Sequence, residues 1–177
     1  MSKVLVLFLA LTGFVDPLRF MSPSRMKNVK LIVQYADAND KDVIELLAIS
    51  SVESDLNPKA ISHKGAVGLF QVMCRTWSKA LGYNSIKDCN KLLLKPENNI
   101  RAGSYVLTTI RKKYKQCSGD LAYRCYYAGP RWKRMRGKTA KQIVRYADKV
   151  KERKKILSDP YYTKLIQDVR FALRNNS

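Results

Sequence analysis

A chain of 177 residues supports one domain with a buried core and falls short of two. Its 46% hydrophobic and 27% charged residues are ordinary for a globular protein, but 34 Lys and Arg against 14 Asp and Glu leave a net charge of +20. Such a surface attracts polyanions without reading their sequence: nucleic acid, anionic membrane surfaces or acidic envelope polymers. The chain has no zinc-finger, RNA-recognition or basic-zipper motif, so no specific nucleic-acid partner is expected.

In chain order, Lys3 precedes an apolar run from Val4 to Leu11. A basic start and a short apolar core predict a signal or anchor-like segment over 1–20, shorter than an ordinary membrane span. Ser22-Pro23-Ser24 marks a break, and 21–39 reads as a linker with a packing helix over Val29 to Tyr35. Asn39 or Asp40 is expected to cap the next helix. That helix runs from Asp42 to about Asp55, with Val43, Ile44, Leu46, Leu47, Ile49 and Val52 burying much of its surface. Glu53 stands at its end. A carboxylate beside such a face loses hydration, which raises its pKa and suits it to general-acid work on a glycosidic bond.

The loop from Pro58 to Gly68 holds His63, expected at the surface, and leads into Gly68-Leu69-Phe70-Gln71. Cys74 to Leu81 reads as a short helix with Trp77 in the core. Pro96 opens a helix to about Gln116, carrying Asn99, Ile100 and Gly103. Asp120 is the expected cap of a helix through Tyr127, stopped by Gly129-Pro130. Arg131 to Lys138 is a basic patch around Trp132. Thr139 to Leu157 reads as a helix with Ile143, Val144, Ala147 and Val150 on one side, and Tyr161 to Leu173 as a last one. From Arg101 to Ser177 there are 21 Lys or Arg and 5 Asp or Glu, so +16 of the +20 lies here.

Cys74, Cys89, Cys117 and Cys125 predict disulfides in an oxidising compartment. Four cysteines allow three pairings. Metal binding is the rival reading, disfavoured by the absence of C-x-x-C and the single histidine.

Glu53-Ser54, then Gly68-Leu69-Phe70-Gln71, then Asn99-Ile100 with Gly103, then Tyr126-Tyr127-Ala128-Gly129 follow one another in an order that resembles the soluble-type (SLT) lytic transglycosylases of the goose-type lysozyme-like superfamily. The resemblance covers Asp40 to Arg134. It implies a mainly α, lysozyme-like domain over 40–135 with a small β-hairpin lining the cleft; beyond the resemblance, 136–177 reads as a basic helical extension. It implies cleavage of peptidoglycan glycan strands between N-acetylmuramic acid and N-acetylglucosamine, leaving a 1,6-anhydro sugar. Glu53 would act as acid and then base, with no metal or organic cofactor. Ser54 would orient the site; Leu69, Phe70, Gln71 and Val72 would contact the saccharide; the Tyr126 hydroxyl would lie near the carboxylate. Phe70 replaces a methionine frequent in the family, and Tyr127 an asparagine. No close second carboxylate is evident, since Asp55 points to another helix face than Glu53.

The alternatives are a lysozyme-type hydrolase on the same fold, and a non-catalytic wall-binding or assembly protein. The expected partners are glycan strands, with anionic envelope polymers or a secretion or virion assembly as further candidates. The expected location is the periplasm or cell envelope after export, or a virion acting in the host periplasm.

Overall fold

The computed structural model describes residues 22–175. The segment expected as a signal or anchor, 1–20, lies outside them. No helix among the described residues is long and apolar enough to cross a membrane.

Helix α1 spans Pro23–Ala38, longer than the expected Val29 to Tyr35. Pro23 occupies the first turn, where its missing N–H costs nothing, so the proline starts the helix rather than breaking the chain. Helix α2, Val43–Ser54, is capped by Asp42, whose side chain accepts from the Glu45 N–H at 3.0 Å. The expected caps serve elsewhere: Asn39 closes α1, its amide donating to the Tyr35 carbonyl at 2.8 Å, and Asp40 sits in the turn at φ 50°. Strands β1 (Ala66–Val67) and β2 (Val72–Met73) pair antiparallel, Ala66 opposite Met73 and Val67 opposite Val72.

Helix α3 covers only Cys74–Trp77. Helix α4, Ile86–Leu92, was not anticipated; the Ser85 hydroxyl accepts from the Asp88 N–H at 3.0 Å to start it. Then follow α5 (Pro96–Lys113), a 3₁₀ turn (Lys115–Cys117), α6 (Leu121–Ala128), a second 3₁₀ turn (Trp132–Arg134), α7 (Gly137–Leu157) and α8 (Pro160–Asn175). Asp120 stands before α6 without a side-chain capping bond. The pairing of the cysteines is Cys74–Cys89, joining α3 to α4, and Cys117–Cys125, joining the turn after α5 to α6.

The result is the expected mainly helical fold with one small hairpin. Helix α2 is central, with α1 against one part of it and α7 along another; α6 packs on α5 and α7, and α8 on α1. Burial of Val43, Leu46, Leu47, Ala48, Ile49 and Ser50 leaves α2 no free face over two turns.

One buried charge crosses this core. Arg111 of α5 grips Glu45 with two bonds of 2.6 and 2.7 Å, the Tyr123 hydroxyl of α6 donates to the same carboxylate, and the Lys154 ammonium of α7 lies 3.5 Å away. Burial pushes the Glu45 pKa up, but these donors and cations together outweigh it, so Glu45 is held below the usual carboxylate range. The ionised carboxylate thereby fixes α2, α5, α6 and α7 relative to one another.

Candidate active site

Two turns after Glu45, on the same helix, Glu53 has the opposite environment. It keeps part of its surface accessible, yet burial pushes its carboxyl up to about 7. The Tyr146 hydroxyl of α7 donates to Glu53 Oε1 at 2.6 Å and pulls the other way. Among the described residues, burial and this bond are the causes of the shift, with no neighbouring carboxylate pushing the pKa. Burial and the Glu53 charge keep the phenols of Tyr126 and Tyr146 well above their ordinary value, so both remain protonated donors at neutral pH.

The helix end that presents Glu53 is clamped. Asp55 and Leu56 both adopt the left-handed conformation, at φ 54° and 60°, which costs about 1 kcal/mol or more at each non-glycine residue. Helix α1 holds them there. Arg25 donates Nε to the Asp55 carbonyl at 3.0 Å and pairs with the Asp55 carboxylate, and buried Asn28 donates to the Leu56 carbonyl at 2.9 Å. Asp55 is thus turned toward α1.

The hairpin closes on Glu53 from the other side, through its backbone. Ser54 Oγ donates to the Leu69 carbonyl at 2.9 Å, and the Tyr126 hydroxyl to the Phe70 carbonyl at 2.8 Å. Asn99 of α5, fully buried, accepts from the Phe70 N–H at 2.8 Å and donates to the Val67 and Leu93 carbonyls at 2.9 and 2.8 Å. Gly68 has no room for a side chain: at φ 75° a Cβ would lie 2.2 Å from Asn99 Nδ2. At Gly103 a Cβ would lie 2.3 Å from the Phe70 ring, so the glycine lets α5 approach the hairpin.

The expected saccharide-binding residues are placed as follows. Leu69, Phe70 and Val72 are at most 2% exposed, so their side chains build the core and supply no apolar surface to a ligand. Gln71, at φ 46°, uses its amide N–H₂ on the Ala60 and Gly68 carbonyls at 3.1 and 3.0 Å, which positions its loop. Ser54 orients the hairpin. Tyr126 lies between Glu53 and a cavity of about 590 Å³ lined by Trp77, Tyr105, Tyr114, Tyr126, Tyr127 and Pro130, among others. Trp77, expected in the core, packs against it and also lines this cavity. His63 is exposed, as expected.

The residue that sequence reasoning missed is Tyr146. It lies in the stretch expected to be a basic extension, on the α7 face with Ile143, Ala147 and Val150. Val144, assigned to that face, is 39% exposed, and Tyr146, 7% exposed, occupies the buried position instead. The available signal was the spacing of Ile143, Tyr146, Ala147 and Val150, one helical stripe with a single polar tip.

Known proteins match this chain over the same region. The family model described as the Transglycosylase SLT domain matches residues 30–148, which includes Glu53, the hairpin, α6 and Tyr146. Membrane-bound lytic murein transglycosylase C of Glaesserella parasuis is 36% identical over 102 residues, 54% of this chain and 27% of that protein. The protein of the same name from Photorhabdus laumondii is 34% identical over 91 residues, 50% of this chain and 26% of its own length. Lytic transglycosylase Slt of Pseudomonas aeruginosa, solved as an inactive Glu-to-Gln variant, superposes with a TM-score of 0.57 at 25% identity, covering 76% of this chain and 24% of that one. The chain spans about a quarter of the length of these relatives. With two thirds of its residues inside the family match, Glu53 among them, the chain belongs to the Transglycosylase SLT domain family.

Proposed function

We propose that this chain cleaves the glycan strands of peptidoglycan as a lytic transglycosylase, with Glu53 as its one catalytic carboxylate. The observation that carries the reading is the state of Glu53: reachable, held by Tyr146, and with a pKa near 7 that burial produces. Such a group gives up a proton and takes one back near neutral pH. The relatives' names, and the inactivity of the Glu-to-Gln variant of Slt, support the same reading.

The steps balance with one carboxylate. Protonated Glu53 gives its proton to the oxygen between N-acetylmuramic acid and N-acetylglucosamine, and the muramic C1–O bond breaks. The acetamido oxygen of the muramic residue bonds to C1. Ionised Glu53 then removes the 6-hydroxyl proton, O6 attacks C1, and the acetamido group leaves. The product is a 1,6-anhydro sugar, and Glu53 is protonated again. Glu45 is held ionised by its cations and Asp55 is paired with Arg25, so neither stands in as a second acid.

Mass spectrometry of purified peptidoglycan after incubation with the protein tests this directly. Anhydro-muropeptides are expected. Reducing-end products heavier by one water would instead establish a hydrolase, and no products from folded protein would establish a binding or assembly role.

The basic loop beside the cavity supports an anionic, wall-attached substrate in the periplasm or envelope. Arg131, Lys133, Arg134, Arg136 and Lys138 are all exposed and follow Pro130 of the cavity wall. Binding to insoluble wall material is expected to weaken on the order of tenfold between low salt and 0.5 M salt as screening shortens. Neutralising Arg131, Lys133, Arg134 and Arg136 together should remove most of that salt dependence, as a pull-down across a salt series would measure.

A further inference from the structure

Tyr127 is, with Phe70, one of two expected site residues that depart from the family pattern, and its surroundings give it a task. It is the penultimate residue of α6 and 44% exposed. Its ring stacks on that of Tyr146, centroids 4.8 Å apart and planes 26° from parallel. Tyr146 is in turn the hydrogen-bond donor to Glu53 at 2.6 Å. An asparagine there would carry no ring to lie on Tyr146.

We propose that Tyr127 is a positioning residue for Glu53, acting through Tyr146: its ring holds the Tyr146 phenol on Glu53 Oε1. The inference rests on the proposed role of Glu53 as the acid. An exposed ring has a choice of rotamers, and a stacked pair of this geometry biases that choice by roughly two- to tenfold. The stack therefore orders both rings at once. Tyr146 is tethered at its other end by Glu53, so the pair forms a short relay from α6 through α7 to α2. The titratable groups facing Glu53 from the elements packed on it are Tyr146 of α7 and Tyr126 of α6; next to Tyr146 lies Tyr123, engaged with Glu45. The hairpin contributes carbonyls and Gln71 but no charge.

Three variants separate the parts of the relay. Tyr127→Asn removes the ring, so the Tyr146 phenol is held less firmly on Glu53 Oε1 and the bond that favours the ionised carboxyl weakens. The alkaline limb of the pH–rate profile then moves to higher pH, and kcat at pH 7 falls roughly two- to tenfold with KM changed less, because the acid is less well positioned. Tyr127→Phe keeps the stack and restores kcat and the limb. Tyr146→Phe removes the donor that favours the ionised form, so its limb moves to higher pH.

The measurement is kcat and KM against pH on solubilised glycan strands, together with a carboxyl NMR titration of Glu53 in the same proteins. Shifts in the same direction for Tyr127→Asn and Tyr146→Phe, smaller for Tyr127→Asn, with rescue by Tyr127→Phe, are the expected result. A Tyr127→Asn protein that matches wild type in kcat and in Glu53 titration overturns the proposal, as does a Tyr127→Phe protein as impaired as Tyr127→Asn. If wild type releases no product, the proposed activity fails, while the titration still decides whether the stack governs Glu53.

Discussion

Replacing Glu53 with glutamine is expected to lower glycan cleavage by about a thousandfold, the usual contribution of a positioned acid, and to raise the melting temperature above neutral pH. The two effects have one cause. The wild-type carboxyl has a pKa of about 7 in the fold against an ordinary 4.5. Between those values the folded state binds more protons than the unfolded chain. Stability linked to Glu53 is therefore fully present below pH 4.5 and is lost as pH rises through 7. Glutamine never ionises, so the variant escapes that loss. The difference in melting temperature between variant and wild type should be small at pH 4.5 and grow through pH 8. A thermal-melt series over that range, beside muropeptide mass spectrometry at pH 6, measures both effects. A melting difference that stays flat with pH would return Glu53 to an ordinary carboxylate and remove the physical basis of the acid role.

Glu45 runs in the other direction, which gives the series an internal control. Its pKa is lowered, so its contribution is present above the ordinary carboxylate value and is lost on acidification. One helix thus carries two carboxylates with opposite pH linkage, set by their neighbours. Glu45 accepts from a guanidinium and a phenol beside an ammonium; Glu53 accepts a hydrogen bond from one phenol and has no cation beside it among its pKa influences. With Glu53 in its proposed role, its destabilisation would be the form that a stability–activity trade-off takes in this fold.

Glu53 was legible in the sequence because its helix is apolar on nearly all sides, and a carboxylate at the end of such a run must be desolvated. The hairpin was legible only through the family resemblance that Gly68-Leu69-Phe70-Gln71 helps to carry. The roles within it were not, because the pattern Gly68-Leu69-Phe70-Gln71 shows which residue types are needed but not which way they face. A backbone that offers carbonyls to Ser54 and Tyr126 turns the Leu69 and Phe70 side chains inward. Tyr146 escaped notice because its partner is 93 residues away in the chain, and local periodicity carries no information on such a contact. The charge of α7 also drew attention to its solvent face. Helix α4 was missed despite a readable start, Ser85 three residues before Asp88, because seven residues with one buried position give little periodic signal.

Asn99→Ala is expected to destabilise the fold strongly. The asparagine makes three buried bonds, to the Phe70 N–H and the Val67 and Leu93 carbonyls. Alanine leaves all three groups without a partner, at about 1 kcal/mol or more each, so a loss of roughly 3 kcal/mol follows. In a domain of this size that lowers the melting temperature by about 10 °C. Activity should fall further than stability explains, because the segment that Asn99 holds also carries the Phe70 and Leu69 carbonyls, the anchors of Tyr126 and Ser54 beside Glu53. Asn99→Asp separates the two halves of the side chain. It keeps the acceptor for the Phe70 N–H but sets an oxygen against two carbonyls, which requires a proton on the introduced carboxyl. That protein should be unstable at pH 8 and recover part of its melting temperature at pH 5, whereas Asn99→Ala should show no such recovery. Matched melts of the two variants at those pH values distinguish a bridge made by the amide from a site that merely tolerates a small polar residue; equal, pH-independent losses would discard the bridge.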